Sequence, residues 1–264
     1  LLMSATPIPR TLALTVYGDL DVSTLTEFPS GKRDVTTMIL SPRDPEIGKY
    51  IQASLATGHR LYVVVPQIEG DEDPYTSVKK VNAMYSKRFP GKVTMLHGAL
   101  SQEDKDVANL AFRTGLCPIL VATSLIEVGI DVKEANLMLI YSPSYFSLSS
   151  LHQLRGRIGR DGSTANCILL NDDDDVQEKL FVLCATDDGF AIAEADLKMR
   201  GPGEIAGTKQ SGLPDFSYAN LISDFKIFEC ARDDAAYLIA HKDDEEFARF
   251  YKKCFLEAKD ISIG

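Results

Sequence analysis

The chain has no tryptophan, and only five cysteines and four histidines in 264 residues. Cys117, Cys167, Cys184, Cys230 and Cys254 form no C-x-x-C pair, and their number is odd. That excludes a disulfide framework and a cysteine-built zinc site, and implies a reduced compartment. The histidines are too far apart to offer metal-ligand spacing, so no metal site is expected. No apolar run is long enough to span a bilayer, and no secretory leader is expected. A cytoplasmic protein without membrane contact is expected. Two phosphate-handling motifs are also missing: a G-x-x-x-x-G-K-[S/T] loop and an Asp-Glu-x-His magnesium box. The chain alone should therefore not hydrolyse ATP.

What is present is an ordinary globular composition, 45% hydrophobic and 25% charged, with a net charge of −10. That balance excludes indiscriminate coating of nucleic acid but leaves room for a local phosphate track. Residue 1 is not methionine, and Leu1-Leu-Met-Ser-Ala-Thr6 reads as the tail of a strand entering a loop. The expectation is a piece of a longer protein.

From residue 35 the pattern alternates. Strands are expected at Val35–Ser41, Arg60–Pro66, Lys92–Leu96, Pro118–Ala122, Asn136–Tyr141 and Thr164–Leu170. Between them, helices are expected at Asp44–Thr57, Thr76–Phe89, Ser101–Thr114 and Ser147–Arg157, with a single helical turn at Thr123–Val128 and a loop at Gly70–Pro74. Short continuous apolar strands alternating with helices imply an α/β fold, a parallel sheet covered on both faces. After Leu170 the composition shifts through the acidic run Asp172–Asp175 to a helical hairpin over Gln177–Met199, broken at Asp187-Asp-Gly189. Arg200-Gly-Pro-Gly-Glu204 reads as a turn, Gly207–Gly212 as a loop, and the tail from Asp215 as two helices. The implied domains are 1–34 as a segment and linker, 35–171 as the sheet lobe, 172–214 as hairpin and loop, and 215–264 as a helical tail.

The chemistry concentrates in Leu151-His-Gln-Leu-Arg-Gly-Arg-Ile-Gly-Arg160. On one helix, Gln153, Gly156, Arg157 and Arg160 fall at i, i+3, i+4 and i+7 and share a stripe. Two guanidiniums would then point the same way, with glycines that admit a close neighbour. A planar, permanently charged fork suits a phosphate. A solvated basic helix end is the plain alternative. Val121–Asp131 offers Thr123 and Ser124 as caps of a short helix able to hold a backbone phosphate, then Gly129 for close approach and Asp131 as a carboxylate. His97-Gly98 could hold a phosphate through a backbone N–H, and Ser4 and Thr6 put two hydroxyls on a loop. Each of these also reads as a cap or a turn.

Together and in this order, the segments resemble the second motor lobe of the superfamily-2 helicases, a RecA-like fold. MSATPIPRT (3–11) looks like motif III, VATSLIEVGIDV (121–132) like motif V and LHQLRGRIGR (151–160) like motif VI. DGFAIAEADLKMRGPGEIAGTKQSG (188–212) is similar to the segment that follows motif VI in the RecG family, DNA helicases that remodel stalled replication forks and recombination intermediates. The resemblance implies that Arg157 and Arg160 reach ATP held with Mg2+ mainly by a first lobe of the same parent chain, with Gln153 at the lobe interface. It places Gly129 and Asp131 near nucleotide, and Thr123, Ser124, His97 and Gly98 on DNA. Ser4 and Thr6 couple the lobes. Lys179, Arg200 and Gln210 belong to a translocation motif acting on branched or forked double-stranded DNA, with Lys179 where the family commonly has arginine. Two other readings compete: a translocase of the transcription-repair coupling type, whose matching segment reads Arg-Gly-Ala-Gly-Glu, and a non-catalytic nucleic-acid-binding module.

Overall fold

A computed structural model describes residues 23, 34–67, 75–123, 132–172, 178–205, 224–241 and 244–251. The expected loop at Gly70–Pro74, the turn after Thr123, the glycine-bounded loop at 207–212 and nearly all of segment 1–34 lie outside these residues. Six strands, β1 (Val35–Leu40), β2 (Arg60–Val64), β3 (Val93–Leu96), β4 (Ile119–Ala122), β5 (Ala135–Tyr141) and β6 (Ala165–Leu170), make one sheet in the order β1-β6-β5-β2-β4-β3. Every pairing is parallel.

Strand side chains alternate between faces, so a strand buried on both must be apolar at every position. β2 shows this directly. Leu61 and Val63, with Val65 just past the strand, enter one core with Ile47 and Ile51 of helix α1 (Glu46–Ala56) and Val81 of α2 (Val78–Arg88). Tyr62 and Val64 enter the other, with Phe112 of α3 (Gln102–Arg113) and Leu151 of α4 (Leu148–Arg155). The fold is thus the expected α/β arrangement, a parallel sheet with helices on both faces. Serines start three of its helices. Ser77, Ser101 and Ser147 accept hydrogen bonds from the backbone N–H of Lys80, Asp104 and Ser150, which satisfies donors that a helix leaves open in its first turn.

The sheet is followed by α5 (Glu178–Ala185) and α6 (Gly189–Ile205), the expected hairpin, then by α7 (Phe225–Ala240) and α8 (Glu245–Tyr251). The described residues form two compact units, one ending at Arg200 and one beginning at Gly201. No described helix is long and apolar enough to cross a membrane.

Two expected boundaries are corrected. Residues 201–205 are not a turn but the end of α6. Proline holds φ near the helical value, and so close to a helix end it costs one N–H bond. The helix bearing the arginines stops at Arg155, with Gly156 as its C-cap. Arg157 N donates to Leu154 O at 2.9 Å and Ile158 N to Arg155 O at 3.3 Å, the tight bonds of a closing turn. Gly159 then takes φ +67°, which ends any helix.

Gly159 also lacks room for a side chain. A Cβ there would lie 3.1 Å from Ala165 Cβ and 3.3 Å from Val35 Cγ2. Gly159→Ala is expected to destabilise the lobe by at least about 1–2 kcal/mol, measured by chemical denaturation.

Candidate functional site

Because α4 ends early, the proposed stripe divides. Gln153 lies on the helix, half-buried, while Arg157 and Arg160 lie on the segment leading to β6. Ile158 between them is fully buried and anchors that segment, leaving both arginines partly exposed on either side. Arg160 turns back, donating from Nε (3.0 Å) and Nη2 (2.8 Å) to the carbonyl of Gly156. That carbonyl belongs to the end of α4, where a helix dipole favours a cation.

The segment lies at the amino ends of the strands. Gly159 N donates to Ala135 O at the start of β5 (2.9 Å), and Ala165 N to Asp34 O beside the start of β1 (2.9 Å). The candidate nucleic-acid residues lie at the opposite edge. His97 follows β3 and Thr123 follows β4, and Thr123 N donates to Leu96 O at 3.3 Å, bringing these two positions together. Both side chains are buried, whereas Gly98 is exposed. His97 is buried as a whole, and its carbonyl accepts from Leu100 N at 3.2 Å. Ser4, Thr6, Ser124, Gly129, Asp131 and Gln210 lie outside the described residues, and of Arg200 only the backbone, within α6, is described.

A residue that the motif pattern did not single out organises the region. Arg155 is 4% exposed. Its Nη1 donates to Leu183 O (2.7 Å) and Thr186 O (3.0 Å) at the end of α5, and lies 3.4 Å from Thr37 Oγ1 on β1 and 3.2 Å from Asp187 Oδ1. Its Nη2 meets His152 Nδ1 at 3.1 Å. Burial lowers the Arg155 pKa while Asp187 opposes that, and a guanidinium stays charged at any ordinary pH. The open carbonyls that finish α5 are the natural partners for such a charge. Only the crowding of three arginines in six residues signalled a division of labour.

The hairpin is fastened at the other end of α4 as well. Lys179 Nζ donates to Ser144 O (2.7 Å) and Phe146 O (2.9 Å), just before α4 begins. Asp196 of α6 accepts from Leu148 N (3.2 Å) and Ser149 Oγ (2.8 Å), in the first turn of α4. A lysine suffices here because two separate carbonyls call for a point charge, not a flat fork. The hairpin is therefore clasped along the whole of α4, and Arg155 is two residues from Arg157.

His152 makes the clasp sensitive to acid. Burial first, then the Arg155 charge, hold its pKa below the ordinary histidine value, against the pull of Asp187 and Asp188. A histidine depressed on folding contributes stability that is complete above its unfolded pKa and is lost as pH falls through the folded one. Urea melts across a pH series should show stability falling below the ordinary histidine range, a component that His152→Asn removes. Arg155→Met should cost about 2–3 kcal/mol, since it strands two carbonyls. It should speed amide exchange in α5 and α6 more than in β2 and β5.

Comparison with known proteins agrees with this architecture. Residues 44–162 match the helicase conserved C-terminal domain, and residues 186–257 match the C-terminal part of domain 3 of the ATP-dependent DNA helicase RecG. The RecG of Thermotoga maritima is 47% identical over 242 residues, 89% of this chain and 31% of that protein. The RecG of Bacillus subtilis is 41% identical over 246 residues, 91% of this chain and 36% of that protein. The chain thus spans about a third of the length of these curated relatives. A solved structure of RecG bound to a three-way DNA junction superposes with a TM-score of 0.66 at 44% identity, covering 86% of this chain and 30% of that one. The chain belongs to the RecG family, in which it corresponds to the second RecA-like motor lobe and the helical segment that follows it.

Proposed function

We propose that the chain is the second-lobe part of an ATP-dependent double-stranded DNA translocase or helicase that remodels stalled forks and recombination intermediates. ATP and Mg2+ are held mainly by the first lobe of the same parent chain. This lobe contributes Arg157 and Arg160 as arginine fingers and Gln153 at the lobe interface. The donor set suits such a role. Two planar cations sit on a short segment anchored by a buried isoleucine, and the chain has no phosphate-binding loop with which to build a complete pocket. Gly129 and Asp131 complete the nucleotide side. His97, Gly98, Thr123 and Ser124 take backbone phosphates of the DNA. Ser4 and Thr6 couple the lobes, and Lys179, Arg200 and Gln210 belong to the translocation motif. The setting is cytoplasmic.

One observation carries this reading. The buried guanidinium of Arg155 grips the turn of the hairpin two residues before Arg157. A shift of the arginine segment on closing over a nucleotide therefore pulls on the hairpin, and with it on whatever duplex the hairpin touches. The relative solved with a three-way junction supports branched DNA as the partner. What this lobe does to ATP is electrostatic: fixed positive charge placed where negative charge grows as the phosphoryl group leaves.

In the full-length protein, Arg157→Ala should lower DNA-stimulated phosphate release by about 10³-fold, as loss of other arginine fingers does, with the thermal melt unchanged. Near-normal turnover in that variant would overturn the assignment. This chain alone should release no phosphate from ATP, and should do so in the presence of DNA once a separately made first lobe is added.

A further inference from the structure

The stretch between Arg160 and β6 follows two partly exposed arginines and then turns into the sheet. Asp161, directly after Arg160, has its carboxylate engaged on both sides. Oδ1 accepts from the backbone N–H (2.9 Å) and hydroxyl (2.6 Å) of Ser163. Oδ2 lies 3.2 Å from Nε2 of His59. The two side chains shield each other, with exposures of 21% and 24%, although Asp161 as a residue lies on the exposed surface. His59 is itself fixed. Its N–H donates to Ser54 O at 3.1 Å, and its Nδ1 lies 2.8 Å from Thr57 Oγ1, which reaches Ala53 O and Ser54 O at the end of α1, each at 3.0 Å. A connected path therefore runs from the end of α1 through Thr57 and His59 to Asp161.

This path joins the arginine segment to a part of the chain far from it in sequence. Gly159 is bonded to β5 and Ala165 to the residue before β1, whereas Asp161 ties the intervening stretch to the α1–β2 connection. The path also settles a chemical conflict. A carboxylate beside an arginine is a competitor for that guanidinium. Here its oxygens are taken by Ser163 and His59, while the guanidinium of Arg160 is turned to Gly156 O.

We propose that His59, acting through Asp161, is a positioning residue for the arginine segment: the pair sets the chain direction after Arg160 and keeps the neighbouring carboxylate off that guanidinium. The inference deepens the arginine-finger reading and rests on it. It assigns no contact with nucleotide to His59 or Asp161. Their role is to hold a charged fork in place, and a misplacement of about 1 Å in such a group can cost up to 10²-fold in rate.

The test is a double-mutant cycle in the full-length protein, with His59→Gln, Asp161→Asn and the pair combined, read as DNA-stimulated phosphate release. Each single variant should lower kcat by about 5–10-fold, with KM for ATP within about twofold, the pattern of a lost transition-state contact. The double variant should be no worse than either single one, because both remove the same link. Asp161→Glu, which keeps the charge, should recover part of the loss. In this chain alone, Asp161→Asn should shift the His59 ring signals in nuclear magnetic resonance spectra and leave those of His241 in place. Additive losses, an unchanged kcat or unmoved His59 signals would overturn the proposal. Arg157→Ala measured alongside separates the two ideas. If it retains turnover, the arginine-finger reading fails. If it abolishes turnover while the His59 and Asp161 variants do not alter kcat, only the positioning role fails.

Discussion

A guanidinium that cannot lose its proton and is shut away from water must be surrounded by acceptors, and Arg155 is that group here. Besides His152 on its own helix, its partners come from three places in the chain: the strand residue Thr37, the carbonyls of Leu183 and Thr186 at the close of α5, and Asp187 in the turn before α6. Satisfying one charge thus fixes where the hairpin turns and which helix it follows. Lys179 and Asp196 complete the arrangement at the far end of α4, one donating to carbonyls ahead of the helix and the other accepting from its first turn. The hairpin therefore supplies acceptors and donors that the lobe's own polar groups require.

The parallel sheet adds a second constraint, one of direction. Helix α4 leaves the carboxyl end of β5 and must return the chain to the amino end of β6, so its last residues arrive at the amino edge. The arginine segment is consequently on one edge, and the connections after β3 and β4, with Gly98 exposed, are on the other. The doubly covered sheet lies between the two sets of groups. The clasped helix α4 spans from one edge to the other, and the hairpin along it is held at both.

Much of this is legible in the residues. Alternation of buried strands with helices, as in Leu61–Val65 against Ile47 and Ile51, specifies the sheet and its two covers, because side-chain period and burial are local properties of sequence. The break at Asp187-Asp-Gly189 is equally plain. The helical stripe of Arg157 and Arg160 is where the pattern misleads. Spacing alone assumes that the helix continues, whereas Gly159 at positive φ and the buried Ile158 end it. Gly201–Ile205 misleads in the other direction, because a turn-rich composition near a helix end does not forbid helical φ and ψ.

The amino-acid sequence by itself determined the α/β class, the family and the identity of the charged groups, since hydrophobic period, capping residues and motif order are all written in neighbouring positions. Only the tertiary structure decided which arginine is shut away from water and which stay partly exposed. Arg155, Arg157 and Arg160 are chemically the same, and what separates them is the distant Leu183, Thr186 and Asp187 around the first, against a local carbonyl at Gly156 for the last. The pairing of His59 with Asp161, about a hundred residues apart, has the same origin. Such contacts depend on how parallel strands bring remote ends to one edge, and no local pattern encodes that.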